Sequence, residues 1–444
     1  MISDPLILSI VIISIMFLFL LSSIWIGISL LLTGIVGMLI FEHNLPPAIS
    51  IYDKIGDLLA SSMYDSLNSW SLAALPMFIL MGEILYKSSI STRLLNGLMP
   101  WLSFIPGKLL HVNVAACSLF AAISGSSAAT TATVGKITLD ELKKRGYSKS
   151  LALGSLAGSG TLGFLIPPSL IMIIYGVMSD VSIGKLFMAG VLPGLLLASL
   201  YSVYIMIASK VDSNVVPSNK ERYNANDFIN SIKDLFPILS LITVVLGSIY
   251  GGFATPTEAA SLGVLGSLLL AVYFKSLSFE IFKNALLNSI KTSVMISFII
   301  VGAGFLSQVV GFLGIARAIS EFIGTLGLTP MMLILMIGIM YVFLGMILDG
   351  ISIVVMTLPI VLPIVVFAGF DPLWFGIFLV FMVELSQITP PVGFSLFVIQ
   401  SISGEKIEYI LKATLPFFIL MVVAVFLITV FPEIVHYLPN KMIK

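Results

Sequence analysis

The chain has 444 residues, of which 58% are hydrophobic and only 10% are charged, and its mean hydropathy is +1.13. Soluble domains carry about 25% charged residues, so this composition excludes a soluble protein and predicts an all-α polytopic membrane protein. The 22 basic and 22 acidic side chains balance, so we expect no nucleic-acid partner. The single Cys117 excludes an intrachain disulfide and a cysteine metal cluster.

The first half of the chain predicts five membrane spans. A span needs about 20 mostly apolar residues, and such runs lie at about 5–22, 24–41, 70–87, 150–178 and 184–208. The N-terminus lacks the basic region and the cleavage site of a signal peptide, so we expect the first helix to stay in the protein. An amphipathic segment at about 45–66 lies within a polar region, 43–69, whose role as scaffold arm or partner contact stays open.

Two longer apolar runs do not fit as straight spans. Residues 109–139 are interrupted near their middle by Ser124–Ser127, and residues 329–365 by Asp349–Ser352. A single helix of that length, at about 1.5 Å per residue, would exceed a hydrocarbon core of about 30 Å. We therefore predict one re-entrant helical hairpin in each half, with its tip in the middle of the membrane.

A proline pair interrupts one span in each half. Pro167–Pro168 follows Gly146 by twenty-one residues, and Pro390–Pro391 follows Gly369 at the same spacing. A break inside the membrane frees backbone groups that lipid cannot satisfy, so it survives only where it lines a cavity within the protein. One such break per half is typical of a transporter whose site lies at the bilayer midplane.

The second half repeats the order of the first. After a polar linker at about 209–234, spans are predicted at about 235–252, 254–274, 291–313, 372–400 and 410–437, with an amphipathic segment at about 276–290. Because five is an odd number, the second copy enters the membrane from the opposite side. Residues 1–208 and 235–444 are thus predicted to form an inverted repeat around a cytoplasmic linker.

Basic residues indicate the orientation of the predicted spans. The feet of the first hairpin carry Lys108, Lys136 and the basic run 143–145, whereas those of the second carry little basic charge. This topology places 17 of the 22 Lys and Arg in the cytoplasm and leaves five outside, namely Lys54, Lys185, Arg317, Lys441 and Lys444. Both termini are predicted to be outside.

The polar residues at the tips and breaks predict cation sites. Unwound carbonyls and hydroxyls supply the oxygen ligands that a hard cation such as Na⁺ requires. Predicted sodium site 1 consists of Ser124, Gly125, Ser126, Ser127, Gly158, Ser159 and Thr161. Predicted sodium site 2 consists of Asp349, Gly350, Ser352, Thr389 and Pro390. We expect Na⁺ as the coupling ion and no cofactor.

Structural explanations of these residues stay open. Ser and Gly in membrane helices also serve close helix packing, and Asp349 could be purely structural. Glu384 is explained equally well by a hydrogen bond between helices and by a gating role. No HExxH pattern, Walker loop or dinucleotide fingerprint occurs in a suitable context, which argues against a zinc protease or an ATP-driven pump.

Five sequence motifs resemble those of one transporter family. They lie at 124–130 (SGSSAAT), 142–147 (LKKRGY), 158–169 (GSGTLG, then IPPS), 254–259 (ATPTEA) and 388–393 (ITPPVG). In combination they are similar to the large membrane subunit of tripartite ATP-independent periplasmic (TRAP) transporters, over about residues 70–400. The resemblance implies a sodium-driven elevator carrier in the bacterial inner membrane. It also implies two partners: a separate small four-helix membrane subunit and a soluble periplasmic substrate-binding protein.

The resemblance further implies a small organic acid as substrate. Substrate contacts are expected next to the cations, at Ser127, Thr130, Gly160, Pro168, Ser352 and Pro391. The hairpins and broken spans would form a transport domain that slides against a scaffold made of the remaining helices.

Two other functions stay open from the sequence. A stand-alone ion-coupled anion carrier of the same fold would need no binding protein. A membrane-embedded serine hydrolase would use Ser126 or Ser159 as nucleophile, and it would need a base within about 3 Å of the hydroxyl. The three histidines lie near predicted segment ends, which disfavours the hydrolase.

Overall fold

The computed structural model describes residues 5–41, 50–217, 223–325, 327–390 and 393–441, and within these ranges it contains helices, turns and loops but no strand. The helices of the first half are α1 (Pro5–Leu21), α2 (Ile26–Phe41), α3 (Ile51–Leu67), α4 (Ala74–Lys87), α5 (Ile90–Leu102), α6 (Leu110–Ser124), α7 (Ser127–Lys144), α8 (Lys149–Gly160), α9 (Leu162–Leu165), α10 (Leu170–Ser179) and α11 (Ile183–Val211). Those of the second half are α12 (Ala225–Tyr250), α13 (Pro256–Tyr273), α14 (Phe279–Phe312), α15 (Ile315–Thr325), α16 (Pro330–Gly345), α17 (Gly350–Phe367), α18 (Pro372–Gln387), α19 (Phe394–Ser403), α20 (Ile407–Val430) and α21 (Glu433–His436).

The lengths and composition of these helices suit a membrane. Among the described residues, eight helical segments of 18 residues or more are apolar enough to cross a bilayer, with α8 to α10 taken as one segment. Shorter apolar helices accompany them, among them α2, α6, α16, α18, α19 and most of α1. The prediction of an all-α polytopic membrane protein is confirmed.

The linker between the halves is shorter than predicted. Residues 225–234, which the polar composition assigned to the linker, form the first turns of α12. A capping box starts this helix, because the backbone N–H of Asn224 donates to Oδ2 of Asp227 at 2.7 Å. Residues 218–222 lie outside the described ranges.

The second amphipathic segment is not a separate element. The segment predicted at 276–290 and the span predicted at 291–313 form one continuous helix, α14, of 34 residues. Its sequence contains no Pro, and its first Gly is Gly302, so no residue interrupts the backbone hydrogen bonds in its first half. In the first half of the chain, a short 3₁₀ turn at Trp70–Ala73 separates α3 from α4. The short helices α5 and α15 were not predicted.

Helices of the two halves pack against each other in a reciprocal pattern. In the first half, α1 contacts α15 and α2 contacts α14; in the second, α12 contacts α5 and α13 contacts α4. The last long helices follow the same rule, since α11 contacts α18 and α20 contacts α8. Exchanging the halves leaves this pattern of contacts unchanged. The opposite orientation of the halves in the membrane stays a prediction.

The fifth spans pack differently from expectation. The prediction placed them in the scaffold, but α11 and α20 lie against the broken spans α8 to α10 and α18. Small residues allow this approach: a Cβ atom at Gly154 of α8 would lie 2.1 Å from the carbonyl oxygen of Ala413 on α20. The helices α6 to α11 and α16 to α20 therefore form one packed group, with α1 to α5 and α12 to α15 beside it.

Candidate functional site

The first hairpin reverses direction at Gly125 and Ser126, between α6 and α7. Gly125 has φ +60°, a left-handed conformation that favours glycine at the end of a helix. Ser126 caps α7, with its Oγ accepting from the N–H of Ala129 at 3.5 Å. The hydroxyls of Ser124 and Thr130 lie 2.9 Å apart. We call residues 124–127 tip 1.

The first broken span is interrupted at its proline pair. After α8 ends at Gly160 and the single turn α9 ends at Leu165, residues 166–169 are not helical. The Pro167–Pro168 peptide bond is cis. Ser169 then caps α10 by accepting from the N–H of Met172 at 3.3 Å. We call residues 161–169 break 1.

Tip 1 lies directly against break 1. The N–H of Leu170 donates to the carbonyl of Gly125 at 3.2 Å, and the hydroxyl of Ser127 lies 3.2 Å from the carbonyl of Thr161. The approach requires glycine, because a Cβ atom at Gly163 would lie 2.5 Å from Cα of Ser127. Likewise, a Cβ atom at Gly160 would meet Oγ1 of Thr131 at 2.1 Å.

Two hydroxyls of predicted sodium site 1 donate to backbone carbonyls of the preceding helical turn. Ser159 donates to the carbonyl of Ser155, and Thr161 donates to the carbonyl of Gly158 at 2.6 Å. Ser159, Thr161 and Ser127 are completely buried. Membrane Ser and Thr often bond in this way to carbonyls of the preceding turn. The oxygens at the contact of tip 1 with break 1 are therefore chiefly those of Gly125 and Ser127 from the tip and of Thr161 from the break.

A carboxyl group from the second half joins this cluster. Glu384 on α18 is completely buried, and its Oε1 accepts from the Ser127 hydroxyl at 2.6 Å and from the Phe164 N–H at 2.8 Å. Its Oε2 has no hydrogen-bond partner among the described residues. The predicted sites did not include Glu384. An acidic residue inside an apolar span was the sequence signal that could have placed it there.

The second tip is built around a helix cap. Asp349 precedes α17 and accepts from the N–H groups of Ile351 at 3.2 Å and Ser352 at 3.3 Å, and from the Ser352 hydroxyl. Asp349 is exposed, whereas Ser352 is buried. These bonds are those of an N-cap, which satisfies the first donors of a helix. We call residues 347–352 tip 2.

In the second broken span, α18 ends at Gln387 and α19 begins at Phe394. Thr389 donates to the carbonyl of Leu385 at 2.7 Å, and Ser395 donates to Oε1 of Gln387 at 3.2 Å. Tip 2 meets this break through Gly350, where a Cβ atom would lie 2.8 Å from Nε2 of Gln387. Gln387 was not part of predicted sodium site 2.

The predicted substrate contacts cluster mainly around tip 1 and break 1. Ser127, Thr130, Gly160 and Pro168 are buried there, while Ser352 lies at tip 2. The two tips share α10 as a neighbour, because α10 follows break 1 and packs against α17. Pro390 is exposed, and the predicted contact Pro391 lies outside the described residues.

An open cavity lies beside one arm of each hairpin. A cavity of about 620 Å³ separates α7 from α4 and α5, and Lys136 and Lys144 are among its lining residues. Another, of about 360 Å³, lies between α3, α10, α14 and α17, and its lining includes Asp65, Asp180 and Gln308. The two cavities differ in charge, since three lysines and the carboxylates Asp140 and Glu141 line the first, whereas Asp65 and Asp180 line the second without a basic residue.

The donor set at tip 1 suits a hard monovalent cation. Its groups are hydroxyl and carbonyl oxygens at the end of an interrupted helix, the arrangement that transporters use for Na⁺. Among the described residues, no group of three or more His, Cys, Asp or Glu could hold a metal ion. A transition-metal site is therefore not supported in this part of the chain.

The chain can now be compared with known proteins. Residues 13–434 match the family described as "Tripartite ATP-independent periplasmic transporter, DctM component". The chain belongs to this family. It is thus a TRAP large permease, a multi-pass bacterial membrane protein that transports solutes and is not an enzyme.

Three relatives illustrate the range of the family. The C4-dicarboxylate TRAP transporter large permease protein DctM of Pseudomonas aeruginosa is 34% identical over 383 residues, which cover 86% of this chain and 89% of that protein. The ectoine TRAP transporter large permease protein TeaC of Halomonas elongata is 35% identical over 370 residues (83% and 86%). The sialic acid protein SiaM of Vibrio cholerae is 29% identical over 385 residues (86% and 89%). Because the three names refer to different solutes, family membership does not define the solute of this permease.

Solved structures share the fold at low sequence identity. The YdaH transporter of Alcanivorax borkumensis aligns with a TM-score of 0.66 at 10% identity, covering 92% of this chain and 98% of that one. MtrF of Neisseria gonorrhoeae aligns with a TM-score of 0.59 at 12% identity, covering 90% and 93%. At such identities the likeness concerns the fold alone.

The geometry gives no support to a serine hydrolase. His111 bonds through Nε2 to the carbonyl of Pro106 at 2.8 Å, and His436 lies 3.8 Å from Asp371. Among the described residues, no hydrogen bond joins either of these histidines to Ser126 or Ser159; the Ser126 hydroxyl accepts from the Ala129 N–H, and the Ser159 hydroxyl donates to the Ser155 carbonyl. His43 lies outside the described residues.

Proposed function

We propose that this TRAP permease performs sodium-coupled uptake of a small organic acid across the inner membrane. In this proposal a periplasmic binding protein delivers the solute, and a separate small membrane subunit completes the complex. The observation that supports it best is the contact of tip 1 with break 1. There the Ser127 hydroxyl lies 3.2 Å from the Thr161 carbonyl, at an interrupted helix of the kind that binds coupling ions.

Sodium at predicted site 1 would connect two separate elements. Its ligands Ser124, Gly125, Ser126 and Ser127 belong to the hairpin, and Gly158, Ser159 and Thr161 belong to the broken span. An ion shared between them would favour the closed contact of tip 1 with break 1. At predicted sodium site 2, the corresponding ligands are Asp349, Gly350 and Ser352 from the hairpin, and Thr389 and Pro390 from the broken span.

An elevator motion fits the way the helices are grouped. The hairpins, the broken spans, α11 and α20 pack together, and α1 to α5 with α12 to α15 lie beside them. In the proposed motion the first group moves as one body against the second. Including α11 and α20 in the moving group differs from the expectation based on sequence.

A carboxylate is the substrate class that the site and the relatives' names favour. Relatives are named for C4-dicarboxylates and sialic acid, both of which are acids. The helix α7 begins at tip 1, where the Ser126 hydroxyl caps only the N–H of Ala129, and the N-terminus of a helix favours an anion. Bound Na⁺ would add further positive charge next to the substrate.

Reconstitution tests the proposal. The permease, its small subunit and the cognate binding protein are studied in proteoliposomes with radiolabelled succinate and N-acetylneuraminate as probes. We expect uptake of an acid with an inward Na⁺ gradient and none with an equal K⁺ gradient. Equal uptake under both gradients would reject sodium coupling. Undiminished uptake without the binding protein would instead support the stand-alone carrier.

The predicted topology can be tested with single cysteines. In a Cys117→Ser background, Lys144→Cys at the foot of hairpin 1 and Asp371→Cys near the foot of hairpin 2 are both exposed positions. A membrane-impermeant maleimide should label Lys144→Cys only from the cytoplasm and Asp371→Cys only from the periplasm. Labelling of both from one side would contradict the inverted repeat. Wild-type protein, whose Cys117 is buried, should stay unlabelled.

A further inference from the structure

Glu384 connects elements that are far apart in the sequence. Its Oε1 bonds to Ser127, 257 positions earlier, and to Phe164, 220 positions earlier. The carboxyl therefore joins α18 of the second half to both tip 1 and break 1 of the first half. The helices α9 and α18 also pack directly against each other.

The neighbourhood of tip 1 contains two unsatisfied polar atoms. Among the described residues, Oγ1 of Thr131 and Oε2 of Glu384 lack hydrogen-bond partners, and both side chains are completely buried. Thr131 follows tip 1 and faces Gly160. Because burying polar atoms without partners costs stability, maximal stability alone does not explain this cluster.

The two acceptors of Ser127 compete for one proton. A serine hydroxyl has a single O–H donor and two lone pairs, and Ser127 lies 2.6 Å from Oε1 of Glu384 but 3.2 Å from the carbonyl of Thr161. The shorter contact favours donation to Glu384. This choice leaves the Thr161 carbonyl and the lone pairs of Ser127 available as ligands at predicted sodium site 1.

We propose that Glu384 is a positioning residue that keeps Ser127 and Thr161 available for Na⁺ and holds tip 1 against break 1. Cation binding in the first half then depends on α18 of the second half. This inference rests on the proposed sodium coupling. It adds a residue outside both predicted sodium sites.

The two hydrogen bonds of Glu384 indicate which substitutions keep its positioning role. One oxygen, Oε1, accepts both hydrogen bonds, so the side-chain carbonyl of Glu384→Gln can accept both as well. Glu384→Ala removes the acceptor. Glu384→Asp keeps a carboxyl but is one methylene shorter, so it cannot reach both donors from the same backbone position, and it provides a second test if the alanine variant fails to fold.

Hydrogen–deuterium exchange of the purified full-length permease in detergent tests the inference. Exchange is followed in peptides covering residues 124–131 and 161–165 during titration with NaCl, with KCl as the ionic control. For wild type we expect Na⁺-dependent protection. The Na⁺ midpoint should stay within about threefold in Glu384→Gln and rise at least tenfold in Glu384→Ala and Glu384→Asp, a difference of about 1.4 kcal/mol or more in binding free energy. Without Na⁺, both peptides should exchange faster in the alanine variant than in wild type.

Met382→Ala is the matched control for lost volume. Met382 is a buried residue of the same helix, on the side facing Gly338 of hairpin 2. We expect this variant to unfold at a lower temperature and to keep the wild-type Na⁺ midpoint. A shift of its midpoint equal to that of Glu384→Ala would overturn the positioning role, because the effect would then come from general loss of packing.

The remaining outcomes separate the two proposals. Wild-type exchange and midpoint in both Glu384→Ala and Glu384→Asp would overturn the role of Glu384 while leaving sodium coupling intact. Equal responses of wild type to NaCl and KCl would reject sodium coupling. In that case the proposed effect of Glu384 on Na⁺ binding would be rejected as well. If both peptides also exchanged at the wild-type rate in Glu384→Ala without Na⁺, the proposal that Glu384 holds tip 1 against break 1 would be rejected too.

Discussion

Tip 1 and tip 2 occupy the same place in the two halves but have different surroundings. Tip 1 is mostly buried and is bonded by Leu170, the first residue of α10 after break 1, and by Glu384 of the other half. Tip 2 is open: Ile347 is 63% exposed, and Asp349 bonds only within its own tip among the interactions recorded for it. The comparison teaches that equivalent hairpins need not be equally fixed, and tip 2 is the one that can move at lower cost.

The glycine at the contact of tip 1 with break 1 should give the largest effect. In Gly163→Ala the new Cβ would lie 2.5 Å from Cα of Ser127, so backbone must move. Overpacking of this kind costs about 1–3 kcal/mol. We expect a lower thermal unfolding temperature in detergent and loss of uptake.

Gly247→Ala is the control for this substitution. Gly247 lies within α12 and has no atom within 4 Å of the added Cβ, and Ala is favoured over Gly inside a helix by about 0.5–1 kcal/mol. Its unfolding temperature should stay equal or rise. If Gly163→Ala behaved like Gly247→Ala, tip 1 would not be tightly fixed.

A pair of serine substitutions compares the tips directly. Ser127→Ala leaves buried Glu384 without its hydroxyl donor, and an unsatisfied buried polar group costs about 1–3 kcal/mol. Ser352→Ala removes a bond to exposed Asp349, which water can replace. We expect Ser127→Ala to lower the unfolding temperature more. The reverse order would contradict the distinction between a fixed tip 1 and an open tip 2.

Substitutions of Asp349 distinguish helix capping from cation binding, and Asp349→Asn should give the smallest change in stability. Loss of the cap in Asp349→Ala costs about 0.5–2 kcal/mol, whereas Asn caps a helix about as well as Asp. Asp349→Asn should therefore unfold at nearly the wild-type temperature. If Asp349 also contributes to predicted sodium site 2, Asp349→Asn should raise the Na⁺ concentration needed for half-maximal uptake. An unchanged Na⁺ requirement would leave Asp349 as a cap alone.

The sequence predicted the features that depend on local residues. Apolar runs located the spans because each must match the thickness of a bilayer. The pair Pro167–Pro168 located a helix interruption because proline lacks an N–H donor and clashes with the preceding turn. Small and polar residues likewise located the reversals at Gly125 and before α17.

Features that depend on contacts between distant parts of the chain could not be predicted from local residues. Glu384 could be recognised as an acid within a span, but its bonds to Ser127 and Phe164 arise only when both halves are folded. The grouping of α20 with α8 depends on the close approach of Gly154 to Ala413, which hydropathy does not report. The continuous α14 was missed because its first part is amphipathic and the remainder is apolar, although a helix can pass from one to the other.

The reciprocal packing of the halves has a consequence for biosynthesis. Gly27 and Gly34 of α2 lie against Phe298 and Phe305 of α14, so helices that leave the ribosome early find their partners only after most of the chain has been translated. Until then they must remain in lipid, available to the insertion machinery and to quality-control proteases. Neither half can complete its own assembly, and the permease should become protease-resistant only when translation of the second half is nearly finished.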